Sequence, residues 1–506
     1  MKPPRNLPAT TLLTLLLVSA GCMVGPNYKR PSAAAPPAFK EQPPVNFKEA
    51  EAAGWKQSQP GDAYSKGRWW ELYNDAALNA LEEQVGVSNQ NVLQAEAQYR
   101  QAKAAVSVAR AALSPVVTTT PAATFGGGGA GAGSSAGTSA SRKSFNLPFN
   151  VSWEPDLWGN IRRGVTASAA TAQSLAANVG NAKLLYQAEL AQDYFGLHGN
   201  DGEAELLTRT EASYEEYLKL TRDRFSAGVA SDLDIAQAES QLYAVQSQLM
   251  DLGVERAAFE HAIAILIGKA PAELAIPPVT LNTPPPPVPP GVPSELLERR
   301  PDIAGAERQV AAANEQIGIA IAAFYPNLSL TGSAGLESSS LAKWFTWPSR
   351  FWSVGPQLAE TLFDAGRRRG VVAEQRAAYD ATVAAYRETV LTAMQQVEDN
   401  LAALRILSGE ADKVQQTVQA AKRALDISTA QYRSGTASYL PVILSQTALL
   451  SADVTAVTLL TRRLTASVLL IEALGGGWNA SQLPTKRDVT APQGQPAAAG
   501  PGGGVR

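Results

Sequence analysis

Arg224-Phe-Ser-Ala-Gly228-Val-Ala-Ser231-Asp-Leu-Asp234 opens a run that continues without a proline to Ile265-Leu-Ile-Gly268. Its apolar positions are Ile235, Ala238, Leu242, Val245, Leu249, Leu252, Phe259, Ile263 and Leu266. The steps alternate between three and four, with one interruption at Arg256, which is a heptad seam asking for a neighbouring helix. Adding 207 to each number finds the run again: Phe225 becomes Tyr432, Gly228 becomes Gly435, Ser231 becomes Ser438, Arg256 becomes Arg463 and Gly268 becomes Gly475. The interruption itself recurs, so the run is an internal repeat. Gly228 and Gly435 stand where a helix should end in a left-handed residue. Ser231 with Asp234 has the spacing of an N-terminal cap. Each copy therefore predicts a helical hairpin with a tight tip, at 226–232 and 433–439. By itself the stretch reads equally as an ordinary antiparallel coiled coil.

Composition narrows the function classes. The chain has 506 residues and a net charge of −3, which gives nucleic acid no basic surface to bind. One cysteine and two histidines, His198 and His261, leave no material for a His/Cys metal cluster or a Cys–His nucleophile pair. Both histidines sit in helical patterns and read as structural or solvated. No nucleophile elbow, phosphate loop or metal spacing stands out, so the chain is not expected to be an enzyme or to hold a metal. At the N-terminus, Lys2 and Arg5 precede an apolar run from Leu12 to Val18, then Ser19-Ala-Gly-Cys22. Residues 1–21 read as a signal peptide. Small residues before the sole cysteine resemble a bacterial lipoprotein cleavage site, with Ser19 where leucine is usual. Cys22 is then the expected acylation site, and Met23 after it favours sorting to the outer membrane. A free thiol behind an ordinary cleavage site is the alternative.

The order of elements is more informative. Residues 22–75 are irregular, from Val24-Gly-Pro-Asn-Tyr28 to Trp69-Trp-Glu-Leu-Tyr73, and read as a strap across other elements. The first repeat spans 76–275. It holds a helix ending before Pro115, strands at about 115–125 and 145–154 around a Gly/Ala/Ser loop, and a long helix with a break expected near His198-Gly-Asn-Asp-Gly202. A proline-rich linker, 276–293, leads to the second repeat, 294–475, with strands at about 326–337 and 352–363. Glu96, Gln98 and Pro115 return 211 residues later as Glu307, Gln309 and Pro326. Arg162-Arg163 is echoed by Arg368-Arg369, at the foot of the strands, where an interfacial anchoring role is expected. Residues 476–506 are low in complexity and read as a disordered tail.

Four strands cannot close a barrel, and an open edge cannot face lipid. Either the strands avoid the membrane, leaving a periplasmic structural coiled coil, or several chains share one barrel. Three copies give about twelve strands, an acceptable membrane barrel, and gather the hairpins into a cylinder of helices below it.

Four motifs in order now carry a resemblance. Cys22-Met-Val-Gly-Pro-Asn-Tyr28, the duplicated Phe/Tyr-x-x-Gly tip, Arg299-Arg-Pro-Asp-Ile303 and Ala473-Leu-Gly-Gly-Gly-Trp478 resemble the TolC-type outer-membrane efflux proteins, in their OprM/NodT-like lipoprotein branch. The resemblance implies a mainly α fold with a membrane β portion: a homotrimer with a 12-stranded outer-membrane β-barrel continued by a periplasmic α-helical barrel. It implies a passive exit duct of a tripartite pump that exports small molecules. A periplasmic adaptor and an inner-membrane transporter, most often of the resistance-nodulation-division (RND) class, would be its partners, with no cofactor beyond the lipid on Cys22. A channel for protein secretion is the alternative within the same fold. In the family the adaptor docks at the tips, here Gly228, Val229, Ala230 and Ser231 with Gly435, Thr436, Ala437 and Ser438. Many relatives place aspartates just after the second tip; Pro441 and Leu444 hold those places here. An apolar gate at Leu440 and Leu444 is therefore expected, unless those leucines simply pack the hairpin. Asp232 and Asp234 on the first tip are the remaining acidic candidates.

Overall fold

The computed structural model describes residues 23–33, 36–41, 67–126, 142–288 and 293–491. The signal peptide, Cys22 and most of the Gly/Ala/Ser loop lie outside the described residues. In chain order the elements are α1 (Ala76–Ser88), α2 (Gln90–Ala111), β1 (Val116–Thr119), β2 (Ala122–Gly126), β3 (Arg142–Trp153), α3 (Asn160–Ser226) and α4 (Asp232–Leu266). The second half supplies α5 (Leu296–Arg299), α6 (Pro301–Ala322), β4 (Asn327–Ser338), β5 (Arg350–Ala359), α7 (Arg367–Arg433), α8 (Leu440–Ala473) and α9 (Lys486–Thr490).

The strands form one antiparallel sheet in which β3 joins the two halves, pairing with both β1 and β2 on one side and with β4 on the other; β5 closes the far edge. The strand expected at 115–125 is split at Thr120-Pro121, since proline has no N–H to give the ladder. The other strands begin and end within a few residues of their expected bounds. Register separates two faces. Lys143, Phe145, Leu147, Phe149, Val151 and Trp153 of β3 share a face with Leu328, Leu330 and Leu336 of β4 and with Arg350, Trp352, Val354 and Leu358 of β5. The opposite face carries Asn146, Asn150 and Ser152 with Ser329, Thr331, Ser333 and Gln357. Apolar on one side and polar on the other is the alternation of a barrel strand with lipid outside and water inside.

Helices α3 and α7 each have 67 residues, about 100 Å of continuous helix. The break expected near His198–Gly202 is absent. The glycines there serve close approach, because a Cβ on Gly199 would lie 2.4 Å from the Thr461 hydroxyl of α8. His198 is buried against Asp201, Nδ1 to Oδ2 at 2.9 Å. The heptad row is the buried one: Ala238, Leu242, Val245, Ile263 and Leu266 are inside. Arg256, the interruption, hydrogen-bonds Asp201 at 2.7 Å and the carbonyl of Ile276 at 2.6 Å, pinning the start of the linker.

The main core lies midway between sheet and tips. Trp69, Trp70 and Tyr73, in a short 3-10 helix, pack with Leu78, Phe195, Leu197, Ile263, Ile303, Val390 and Val468. The single helix expected before Pro115 is two, because Asn89 ends α1 and caps α2, its Oδ1 accepting from the Asn91 and Val92 N–H groups at 2.9 and 3.2 Å. Its Nδ2 donates to the carbonyl of Leu266, the last residue of α4, at 2.8 Å. In the second half Arg300, 211 residues on, donates to the carbonyl of Ala473, the last residue of α8, at 3.0 Å. Gly268 and Gly475 follow those helix ends with φ of +72° and +95°. A Cβ on either would meet a carbonyl oxygen, Ser88 at 2.3 Å and Arg299 at 2.1 Å. The tail is ordered beyond the triple glycine as far as Ala491, contrary to expectation. Helix α9 has a Thr485/Asp488 capping box and buries Val489 against α2 and α3.

Two predictions follow from this packing. Replacing Gly475 by Ala forces a side chain into the left-handed region and onto the Arg299 carbonyl. The backbone strain alone costs about 1–3 kcal/mol, and calorimetry should show a lower Tm than for a control such as Gly409→Ala, which meets no neighbour. Glu82 is fully buried, neither of its carboxyl oxygens has a hydrogen-bond partner, and burial holds its pKa well above the usual carboxylate range. A raised pKa gives stability that is complete below the unfolded value and is lost as pH rises through the folded one. Glu82→Gln should therefore raise Tm at about pH 9 and leave it nearly unchanged at about pH 4; an equal shift at both would contradict the assignment.

Candidate functional site

Two regions hold the residues singled out from sequence, the hairpin tips and the foot of the sheet, and an unforeseen clasp lies beside the tips. At the first tip α3 ends in a Schellman turn. Gly228, at φ +74°, donates to the Phe225 carbonyl at 2.9 Å, and Val229 N–H reaches the Arg224 carbonyl at 2.9 Å. Ser231 then caps α4: its Oγ accepts from Asp234 N–H at 3.2 Å, while the Asp234 carboxylate accepts from Ser231 N–H at 2.8 Å. Asp234 is thus committed to the cap, whereas among the described residues no hydrogen bond or ion pair engages the Asp232 carboxylate. Gly228, Val229 and Ser231 are exposed and Ala230 is half-buried.

The second tip repeats the turn but not the cap. Gly435, at φ +75°, donates to Tyr432, and Thr436 N–H reaches the Gln431 carbonyl, both at 3.0 Å. Ser438 caps nothing; α8 starts after Tyr439, with Pro441 in its first turn. Thr436 and Ser438 are exposed, Ala437 half-buried. Leu440 is 50% and Leu444 62% exposed, so neither packs its own hairpin, whose core here is Tyr439, Val442 and Ile443. They leave an unpartnered apolar pair one turn apart beside the tip.

Sequence reading missed the clasp. Arg224 Nη1 donates to the Tyr432 carbonyl at 2.6 Å, and its guanidinium sits 4.4 Å over the Tyr432 ring. Tyr217 hydrogen-bonds Thr429 at 3.1 Å, and Tyr432 packs against Tyr439 with ring centroids 5.2 Å apart. The Arg224 and Tyr217 contacts tie α3 of the first hairpin to α7 of the second, and the Tyr432–Tyr439 pair closes the second hairpin on itself. Burial pushes the pKa of Tyr214, in the same cluster, up to about 12, and raises that of Tyr439 further, so both rings stay neutral. The signal available in sequence was the aromatic at Tyr432 with an arginine eight residues ahead of its repeat partner's helix start, Asp232; only the fold brings them together.

At the foot of the sheet the four arginines do three different things. Arg162 pairs with Asp156 at 3.1 Å and Arg368 with Asp364 at 2.6 Å, each carboxylate also accepting the arginine's own N–H. Arg369 is exposed. Arg163 is not an interfacial anchor: it is fully buried, paired with Glu315 at 2.7 Å, and its Nε donates to the Val24 carbonyl at 2.7 Å. Room for it exists because residue 318 is glycine; a Cβ there would lie 2.4 Å from Arg163 Cδ. Val24 N–H in turn donates to the Trp158 carbonyl at 3.1 Å, and Tyr28 hydroxyl to Glu307. The strap behind Cys22 is thereby fixed at the foot of β3, with Met23 against Gly159.

Comparison with known proteins agrees with this geometry. The model of the family described as outer membrane efflux protein matches residues 81–269 and 292–476. Outer membrane protein OprJ of Pseudomonas aeruginosa is 32% identical over 481 residues, covering 92% of this chain and 95% of that one. Nodulation protein T of Rhizobium leguminosarum is 29% identical, covering 95% and 96%. Among solved structures, the outer-membrane channel OprN superposes with a TM-score of 0.82 at 28% identity over 90% of this chain and all of that one. The Campylobacter jejuni CmeC outer membrane channel shares the fold, with a TM-score of 0.83 at 23% identity over 91% and 96%. The chain belongs to the outer membrane efflux protein family: it is a trimeric TolC-type channel of the Gram-negative outer membrane, with a shared β-barrel and a periplasmic helical barrel.

Proposed function

We propose that this channel is the passive exit duct of a tripartite pump for small molecules, closed at its periplasmic tips until an adaptor engages them. The observation that carries the reading is the continuity of a polar strand face with two helices about 100 Å long, each ending in a clasped, exposed tip. It is supported by the names of relatives: TtgC of Pseudomonas putida, a toluene efflux pump outer membrane protein, and OpmQ of Pseudomonas aeruginosa, a pyoverdine export outer membrane protein. The partners are a periplasmic adaptor, seated at Gly228–Ser231 and Gly435–Ser438, and an inner-membrane transporter of the RND class. The channel needs no cofactor: it supplies a wetted path and a gate. Closure is apolar, with Leu440 and Leu444 meeting their copies around the threefold axis so that water leaves the constriction. Asp232, on the first tip, is the acidic alternative.

The lipid anchor is part of the proposal. Met23 and Val24 are fixed beside Gly159 and Trp158, directly under β3. Cys22 itself lies outside the described residues; an acyl group on it is the proposed anchor, with the strap that follows it held at the foot of the sheet.

Planar-bilayer recording tests the gate. Leu440→Ser with Leu444→Ser should raise resting conductance several-fold, as should Arg224→Ala with Tyr432→Ala through loss of the clasp. Asp232→Asn should change it little. A closed state that survives the leucine pair and opens on Asp232→Asn would reverse the assignment to an electrostatic gate. Intact-mass measurement tests the anchor: the mature chain should begin at Cys22 and carry acyl groups, and Cys22→Ser should lose that mass. An unmodified Cys22 in the membrane fraction would remove the anchor from the model.

A further inference from the structure

The sheet's two ends differ in charge. At the foot, arginines and aspartates pair with each other. At the outer end, Lys143, Lys343 and Arg350 are exposed, and among the described residues none of them makes an ion pair. Glu337 is the nearby acid, and its register partner is Asn146, on the polar, lumen-facing side. Lys143 and Arg350 instead end the apolar rows, in register with Phe125 and Leu336 respectively.

Their height is set by the strand. From Trp153 to Lys143 is ten residues, about 33 Å along β3; tilted by about 45°, that is about 24 Å along the membrane normal, the height of the apolar band of such barrels. Lys143 therefore emerges where the outer leaflet's headgroups begin, and Arg350, opposite Leu336 and so level with Leu147, lies about 13 Å nearer the foot along the strands. The loop between β4 and β5 is built onto the same place. Trp344 packs on Phe145, with ring centroids 5.7 Å apart, and donates its Nε1 hydrogen to the Leu336 carbonyl at 3.2 Å. The Ser349 hydroxyl donates to the Lys343 carbonyl at 2.6 Å, and Arg350 lies 3.7 Å over the Trp347 ring. Phe345 and Trp347 are 71% and 75% exposed beside them, an aromatic ledge continuous with the lipid-facing surface.

We propose that Lys143, Lys343 and Arg350 form a binding site for the phosphorylated headgroup of the outer-leaflet glycolipid, repeated three times around the barrel. The aromatic ledge takes the acyl–sugar boundary, and the cations take the phosphates by charge-assisted hydrogen bonds. A cation at this height without a carboxylate partner has the lipid phosphate as its counter-ion, and a fixed loop presents it at little entropic cost.

The test uses the purified full-length trimer in detergent, with Tm and native mass spectrometry as readouts. Bisphosphorylated lipid A should raise Tm by several degrees and remain bound in the gas phase. Lipid A stripped of both phosphates and phosphatidylglycerol should each give less than half that shift. The triple variant Lys143→Gln, Lys343→Gln, Arg350→Gln should keep its lipid-free Tm and lose most of the response, and the charge-preserving Lys143→Arg, Lys343→Arg, Arg350→Lys should retain it. Equal stabilisation by the dephosphorylated lipid or by phosphatidylglycerol, or a full response from the Gln variant, would overturn the site. If the Gln variant fails to assemble, the comparison of the three lipids on the unaltered protein decides alone.

Discussion

Everything in this fold hangs on how the short hairpin helices end. Helices α4 and α8 must stop at the belt, turn, and hand the chain on without leaving their last carbonyls bare in a packed interior. Both do so in one way: a left-handed glycine presses against a carbonyl of a neighbouring helix end, while a side chain from the next residue reaches across to the last carbonyl. Asn89 does this for the first half and Arg300 for the second, and Arg300 also grips Asp302 and Gln396. Because that joint admits no Cβ, it fixes the angle at which each hairpin leaves the belt. The small error it allows matters because the tips lie tens of ångströms away.

The glycine half of that joint was legible in the sequence, and the polar half was not. Gly268 and Gly475 announce themselves by repeating at a constant offset with a positive-φ requirement that any helix end can have. Asn89 and Arg300 share no chemistry, so no repeat search pairs them, and their partners lie 177 and 173 residues away. The same limit explains the other misses. Arginines beside a membrane strand read as interfacial by type, yet Arg163 is buried because Gly318 and the strap make a pocket for it. The glycines at 199 and 202 read as a break by propensity, but packing against α8 outweighs a local cost of about 1 kcal/mol each. The buried heptad row, the tips and four of the strand positions were legible because each depends on local spacing or one residue's dihedral preference.

The two halves are alike in topology and unlike in what covers them. Gly159 and Gly366 begin α3 and α7 with nearly the same dihedral, φ +85° and +88°. Met23 sits on the first, and among the described residues nothing lies within 4 Å of a Cβ placed on the second. The strap thus breaks the pseudosymmetry at the foot as the Ser231/Asp234 cap breaks it at the tip. A trimer of such chains has three distinct pairs of positions around its ring, and not six equal ones. The ordered tail adds to the difference, since Val489 closes the seam of α2 and α3 alone.

That asymmetry gives the closed tip an energy scale. The clasp joins unlike hairpins within one subunit through a charged hydrogen bond, about 1.5–3 kcal/mol, and a cation–π contact of about 0.5–1 kcal/mol. Moving a two-state gate from almost always shut to almost always open takes a differential of about 5.5 kcal/mol. One clasp is too small to hold such a gate and three together are enough. Under the gate proposed above, closure would therefore be a property of the trimer, and a partner engaging a single subunit would gain too little contact to open it. In that proposal a partner opens the duct by favouring the parted hairpins at several tips at once, which would call for repeated docking positions around the ring.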